Sequence, residues 1–333
     1  MPAPMPKSRL TAVWCEIQQL SDALQAFGPD VEILVPDKGH PDPVATAVEA
    51  QAILASSGLR YDTKVFRRLP NLEILVRTGI GTDNVVTEDA TTAGVLFCNT
   101  PAGPTESTAE HTVALMLACA KRVPEGAAQL AEGRFAPRAV PMGRELMGKT
   151  LGLMGFGRIG QRVAHICQRG FGMRVVAHDP IMTEKSVAAT GLEVELASMD
   201  EVLTQADFLS LHAPSIPSTR HMLNRETIAQ MKDGAFLFNL ARGPLVDGDA
   251  LLDALDSGKL AGAGIDVFDP EPPPADSRLR NHPKLVATPH SATTTVEARE
   301  RIEAMAVEEI LRFFAGKEPH NPLNPEVLAR TAP

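Results

Sequence analysis

Three ionisable residues, Arg242, Glu271 and His290, each follow an apolar run of the kind that forms a buried strand: AFLFNLA, GIDVFDP and LVATP. In open α/β sheets ligands bind outside the carboxyl ends of the strands, so three such runs would deliver the three side chains to one ligand side. A guanidinium offers a planar fork that can hold a carboxylate and polarise a neighbouring carbonyl. An imidazole gives or takes a proton near neutral pH. A carboxylate on its second ring nitrogen fixes the tautomer and favours the imidazolium, which makes Glu271 the orienter of His290. These are the parts of a hydride-transfer site for a 2-oxo acid. The binder of a hydride carrier lies upstream, where residues 151–160 read LGLMGFGRIG and VVAHDP places Asp179 at the end of the next apolar run. Gly155 permits a tight turn, Gly157 lets an amide approach a pyrophosphate, and Gly160 lets a helix pack on the sheet. The phosphates then sit at a helix N-terminus. Asp179 would bond both hydroxyls of an adenosine ribose and repel a 2'-phosphate, which favours NAD over NADP.

Each of the three has a plainer reading. Arg242 fits a helix cap or the surface, Glu271 a solvated proline-rich loop, and His290 a satisfied strand end. Joint placement after successive strands favours the chemical reading.

The elements that must position them are legible as alternation. Six short apolar runs separated by helical patterns follow residue 150, which implies βαβ units, a parallel sheet and a complete dinucleotide-binding domain. The first hundred residues repeat the theme more loosely in LTAVW, VEILVP, AQAILASS, LEILVRT and VLFCNT. Between them TESTAEHTVALMLACAKRV opens with a capping-box spacing at Ser107 and Glu110 and continues as a long helix that could bridge the domains. A last helix over roughly 294–315 carries Ile302, Ala306, Ile310 and Phe313 on one face. The nucleotide fold closes by His290, so the tail is expected to return to the first domain. The expected architecture is α/β: two Rossmann-like or flavodoxin-like domains with parallel sheets and an interdomain cleft. Residues 1–101 plus 296–333 form a discontinuous substrate domain, and 102–295 form the NAD-binding domain.

Composition bounds the function classes. A chain of 333 residues, 44% hydrophobic, can bury a large core in about two domains. Its net charge of -9, with scattered lysines and arginines, argues against nucleic acid and anionic membranes as partners. The longest apolar run, 113–120, cannot span a bilayer, and MPAPMPKSRL lacks the apolar core of a signal peptide. Cys15, Cys98, Cys119 and Cys167 are widely spaced in apolar contexts, which suggests reduced core thiols in a cytoplasmic protein and no zinc or disulfide framework. No bound metal is expected.

The motifs as a set carry a resemblance. VRTGIGTDNV (76–85), NTPAGPTESTAEHT (99–112), GKTLGLMGFGRIG (148–160), NLARGPLVD (239–247), AGIDVFDPEP (263–272) and TPHSA (288–292) resemble the D-isomer-specific 2-hydroxyacid dehydrogenases over nearly the whole chain. The resemblance implies Arg242 as ligand of the substrate carboxylate, His290 as general acid and base, and Glu271 as its partner. It implies that Arg77 faces the substrate and that the RTGIG loop closes on the substrate carboxylate through backbone amides, chiefly Gly79 and Ile80. The cofactor contacts it implies are Ile80, Thr108, Phe156 within the glycine turn, Arg158, Ile159, His212, Ala213, Pro214, Leu240, Ala241 and Asp266. Thr108, Leu240 and Asp266 also have a core or cap reading. A homodimer pairing through helices near 105–145 is likewise implied.

Residues 71–160 look most similar to phosphoglycerate dehydrogenases, with two departures. Val86 stands where the family often has Asp, and the chain stops at NPEVLARTAP, so a C-terminal regulatory domain and feedback inhibition by serine are not expected. Arg77, Arg134 and Arg138 could supply charge for a phosphate, which keeps 3-phosphoglycerate open beside glyoxylate, hydroxypyruvate and other short 2-oxo acids. A methyltransferase needs no arginine and histidine at later strand ends. An L-specific lactate or malate dehydrogenase normally begins with its nucleotide motif. A non-enzymatic NAD-sensing corepressor on this fold is the rival from another class.

Overall fold

The computed structural model describes residues 9–16, 22–37 and 39–330, so the signal-peptide expectation on the first residues lies outside them. The chain divides into two compact units, residues 1–104 with 295–333, and residues 105–294.

The first unit holds five parallel strands: β1 (Ala12–Cys15), β2 (Glu32–Leu34), β3 (Ala52–Ala55), β4 (Ile74–Arg77) and β5 (Leu96–Asn99). Their order is β2-β1-β3-β4-β5, the flavodoxin-like arrangement. In β1, β3 and β5 every residue is buried, as expected where helices cover both faces and the strand reads as a continuous apolar run. One face packs against the helix Val296–Phe314, whose Ala306, Val307, Ile310 and Phe313 join Val13, Leu54, Val76 and Leu96 in one core. Thr295 caps that helix by accepting from the Ala298 amide, a contact worth about 1 kcal/mol.

The second unit holds seven parallel strands: β6 (Thr150–Met154), β7 (Arg174–His178), β8 (Val194–Leu196), β9 (Phe208–Leu211), β10 (Ala235–Asn239), β11 (Leu260–Ile265) and β12 (Leu285–Ala287). Their order is β12-β11-β10-β9-β6-β7-β8, a doubly wound sheet whose strand order reverses between β6 and β9. The sequence reading missed β8. It is three residues long, sits at the sheet edge, and places Glu195 between two half-buried apolar residues. Phe208, Phe236 and Phe238 stack from adjacent strands and help join the sheet to the helix Thr105–Lys121.

That helix begins at Thr105, two residues before the expected cap. Ser107 is therefore inside the first turn, where its buried hydroxyl donates to the Ala292 carbonyl at 2.7 Å instead of capping. The four cysteines are buried thiols, and burial pushes Cys119 and Cys167 up to about 12. Among the described residues no helix is long and apolar enough to cross a membrane, and no group of three or more metal-binding side chains occurs.

Candidate active site

The second unit brings Glu271 and His290 together: Nδ1 of His290 lies 2.5 Å from Oε1 of Glu271. The other carboxylate oxygen of Glu271 accepts from the Phe268 amide at 3.2 Å, so the carboxylate is aimed by its own loop. Both side chains are part-exposed, at 46% for His290 and 39% for Glu271, as a group that must meet a substrate requires.

His290 sits in the left-handed backbone region, φ 53°. A non-glycine residue there is strained by about 1–2 kcal/mol and persists only where its surroundings impose it. The constraint comes from Asp266, fully buried at the end of β11. Its Oδ1 accepts from the Thr288 hydroxyl at 2.6 Å and the Ser291 amide at 2.8 Å, and its Oδ2 from the Ala292 amide at 2.9 Å. One carboxylate thus grips the loop on both sides of His290. Ser107 secures the far end through Ala292, and His111 reaches the Thr288 hydroxyl at 3.0 Å.

Arg242 follows β10 on a turn shaped by Asn239. The Asn239 amide donates to the Arg242 carbonyl at 2.8 Å, and its oxygen accepts from the Ala241 amide at 3.1 Å. Nη1 of Arg242 donates to the Ala241 carbonyl at 2.7 Å, which orients the fork. The next residue makes an extreme close approach: a Cβ on Gly243 would lie 1.8 Å from the Phe268 carbonyl oxygen. The arginine turn therefore presses directly on the loop that carries Glu271. Leu240 is buried and Ala241 half-buried.

The glycine turn sits where the strand order reverses. Gly155 has φ 97°, and a Cβ there would fall 2.6 Å from the His212 carbonyl oxygen, so only glycine lets β6 turn against the end of β9. A Cβ on Gly160 would meet the Gly155 carbonyl oxygen at 2.6 Å. Gly157 caps the helix Arg158–Phe171 without a side-chain bond and with open space at its Cβ position. This cradle fits the pyrophosphate of a dinucleotide, because the helix dipole and first-turn amides face an anion and no side chain fills the approach. Asp179 ends the neighbouring strand, accepting from the Phe156 amide at 2.8 Å and the Ile181 amide at 2.9 Å. Those bonds fix its carboxylate beside the turn, where it would meet ribose hydroxyls. Arg158 is exposed, Ile159 half-buried and Phe156 buried. Ala213 and Pro214 continue from His212 past β9, and Thr108 is buried within its helix.

His212 is part-buried, with Nε2 3.0 Å from the Ser210 hydroxyl. Burial lowers its imidazole from 6.5 to about 4, so the folded chain keeps it neutral where an unfolded chain already binds a proton. The stability this difference contributes is whole above about pH 6.5 and declines as the pH falls from there to about 4. Unfolding midpoints measured from about pH 7 down to about pH 4 are expected to fall less steeply for His212→Asn than for the parent chain, and parallel curves would refute this.

In the first unit Arg77 ends β4, with Nη1 donating to the Thr78 carbonyl at 2.5 Å and Nε to Asn84 Oδ1 at 3.3 Å. The Gly79 amide, expected to face a substrate carboxylate, donates to the Thr100 hydroxyl at 2.8 Å. Ile80 is exposed, and its carbonyl accepts from Asn99 at 3.0 Å. Of the arginines considered for a phosphate, Arg134 pairs with Glu132 and Arg138 lies in the exposed turn Pro137–Ala139.

Sequence reasoning did not anticipate the loop-holding role of Asp266, the turn-shaping role of Asn239 or the contact from Ser107. Their partners are fixed by tertiary packing, and only their positions after strands or inside a motif gave any signal.

Known proteins place the chain in a family. The family model described as D-isomer specific 2-hydroxyacid dehydrogenase, NAD binding domain, matches residues 113–292. The chain is 41% identical over 266 residues to a hydroxypyruvate reductase of Thermotoga maritima, covering 79% of this chain and 85% of that one. It is 41% identical over 265 residues to D-3-phosphoglycerate dehydrogenase of Bacillus subtilis, covering 80% of this chain but only 50% of that enzyme. Among solved structures, the TT0316 protein of Thermus thermophilus superposes with a TM-score of 0.85 at 39% identity, covering 94% of this chain and 99% of that one.

Proposed function

The chain belongs to the D-isomer specific 2-hydroxyacid dehydrogenases, NAD-dependent oxidoreductases acting on CH–OH groups, and from that premise we propose that it interconverts a short 2-oxo acid and its D-2-hydroxy acid. The observation that supports this most is the His290–Glu271 pair, imposed by Asp266 on a strained loop and tied through Gly243 to the Arg242 turn.

The Gly155–Gly160 turn would hold NADH, which would supply the hydride when bound. Arg242 binds the substrate carboxylate and holds the adjacent carbonyl for attack. His290, as imidazolium, gives its Nε2 proton to the carbonyl oxygen while Glu271 on Nδ1 supports the cation. In the reverse direction neutral His290 takes the hydroxyl proton through the same atom. The resemblance assigns further substrate contacts to Arg77, Gly79 and Ile80 of the first unit. Thr108, Phe156, Arg158, Ile159, Ala213, Pro214, Leu240 and Ala241 complete the cofactor contacts.

A panel of 2-oxo acids, including glyoxylate, hydroxypyruvate and 3-phosphohydroxypyruvate, run with NADH and NADPH tests the reading. Turnover is expected with at least one acid, and NADH should be favoured by about tenfold or more because Asp179 repels a 2'-phosphate. Absence of turnover with every acid, together with tight NADH binding, would favour the non-enzymatic NAD sensor instead.

We also propose a homodimer. The helix Val123–Ala131 buries none of its residues within the chain. Val123, Leu130, Phe135, Met142 and Met147 leave apolar surface exposed along the same stretch, at up to 93% for Met142. Large apolar side chains left exposed along one stretch of chain favour an association surface there. Sedimentation equilibrium should return twice the 35.6 kDa of one chain, and a monomer at all concentrations would overturn the proposal. The cytoplasm, where unpaired thiols stay reduced, is the proposed location, and recovery of the chain outside the cell would contradict it.

A further inference from the structure

The carboxyl ends of β1 and β3 carry polar groups that the reaction above leaves unused, beside the Arg77 that it uses. Glu16 follows β1, Ser56 follows β3, and Arg77 ends β4. Oε1 of Glu16 accepts from the Ser56 hydroxyl at 2.6 Å, and Oε2 accepts from the Ser56 amide at 2.7 Å and the Tyr61 hydroxyl at 2.9 Å. The Ser56 carbonyl in turn accepts from Asn84 Nδ2 at 2.9 Å, and Asn84 Oδ1 accepts from Arg77 Nε. A carboxylate and the guanidinium assigned to the substrate thus share one hydrogen-bonded arc at the carboxyl end of the sheet.

The hydrogen bonds to Glu16 come from three neutral donors. Nη1 of Arg77 is turned to the Thr78 carbonyl and lies close to Gly79. Burial first, and then the charge of Glu16, hold the Tyr61 hydroxyl well above its ordinary range, so it remains a donor to Glu16. An ionised carboxylate has about four acceptor sites, of which three are occupied. What remains at this half-buried position is one acceptor and a negative field.

Resting on the assignment of Arg77 and the Gly79–Ile80 segment to the substrate, we propose that Glu16 selects the substrate's tail: it disfavours a phosphorylated 2-oxo acid and favours a short one whose tail is uncharged or donates a hydrogen bond. A phosphate monoester carries about -1.5 to -2 charges near neutral pH, and like charges in a partly desolvated site repel strongly. A terminal hydroxyl, as in hydroxypyruvate, can donate to the acceptor site that Ser56 and Tyr61 leave. Discrimination here comes from a repulsive group as much as from an attractive one.

Glu16 also orders the segment from Ser56 to Tyr61, so loss of stability in a variant would not separate selection from scaffolding. A ratio does. The kcat/KM values for hydroxypyruvate and 3-phosphohydroxypyruvate with NADH are compared in the parent chain, Glu16→Gln and Tyr61→Phe, with unfolding midpoints alongside. The parent chain should favour hydroxypyruvate. Glu16→Gln should raise the phosphorylated-to-unphosphorylated ratio by about tenfold or more, because it removes the charge and keeps the shape. Tyr61→Phe keeps the carboxylate and should leave the ratio within about twofold, since it removes only a neutral donor. A parent chain that prefers the phosphorylated acid, or a Glu16→Gln ratio equal to the parent's, overturns the proposal. If no 2-oxo acid oxidises NADH in the parent chain, the dehydrogenase reading fails and this one falls with it.

Discussion

Replacing His290 with asparagine is expected to lower kcat by roughly a hundredfold to ten-thousandfold, the contribution of a positioned general acid, while NADH affinity stays within about twofold. Asparagine is the informative choice because the backbone at this position is left-handed, φ 53°, and asparagine tolerates that conformation better than most side chains. The loop held by Asp266 should therefore keep its course. What is removed is the imidazole that exchanges its Nε2 proton with the substrate oxygen. Steady-state rates with the best acid of the panel, beside NADH fluorescence titration, provide the check. A kcat close to that of the parent would withdraw the acid role from His290.

The second large effect is expected at Arg242. Arg242→Lys keeps the positive charge but loses the planar fork, so it cannot hold a carboxylate by two parallel bonds. A drop of roughly a hundredfold to a thousandfold in kcat/KM is expected, because the lost fork removes a hydrogen bond to the carboxylate and misaligns the adjacent carbonyl. Unlike the histidine change, it should raise KM as well as lower kcat, because the guanidinium binds the ground state and aligns the transition state. Kinetics of both variants on the same acid separate the two roles. An unchanged KM for Arg242→Lys would remove Arg242 from the substrate carboxylate.

The five strands of the first sheet were legible because buried parallel strands are short unbroken apolar runs, and VLFCNT or LEILVRT need no context to be read that way. The same rule fails at β8, where Val194, Glu195 and Leu196 are too few and too mixed to stand out from a loop. Helix starts are harder still. Ser107 and Glu110 have the capping spacing, yet the helix extends back to Thr105 because tertiary packing gives the Ser107 hydroxyl a better partner in Ala292. At the site, residue types and strand-end positions pointed to Arg242, Glu271 and His290 before any coordinates. The support beneath them was not readable. Asp266 looks like any acid after a strand until the amides of Ser291 and Ala292 converge on it. Glu16 gave no local signal at all, since its meaning depends on strands β1 and β3 lying side by side.

The contact of Gly243 with the Phe268 carbonyl has a consequence for how this catalyst can vary. Two main-chain segments that carry opposite charges to the reaction centre abut with no side chain between them, so their spacing is set by peptide groups that substitution cannot retune. A single added methyl at position 243 would wedge the segments apart and spoil alignment while leaving every ionisable group intact. Drift elsewhere on these loops can be absorbed by neighbouring rotamers, whereas this junction offers nothing to yield.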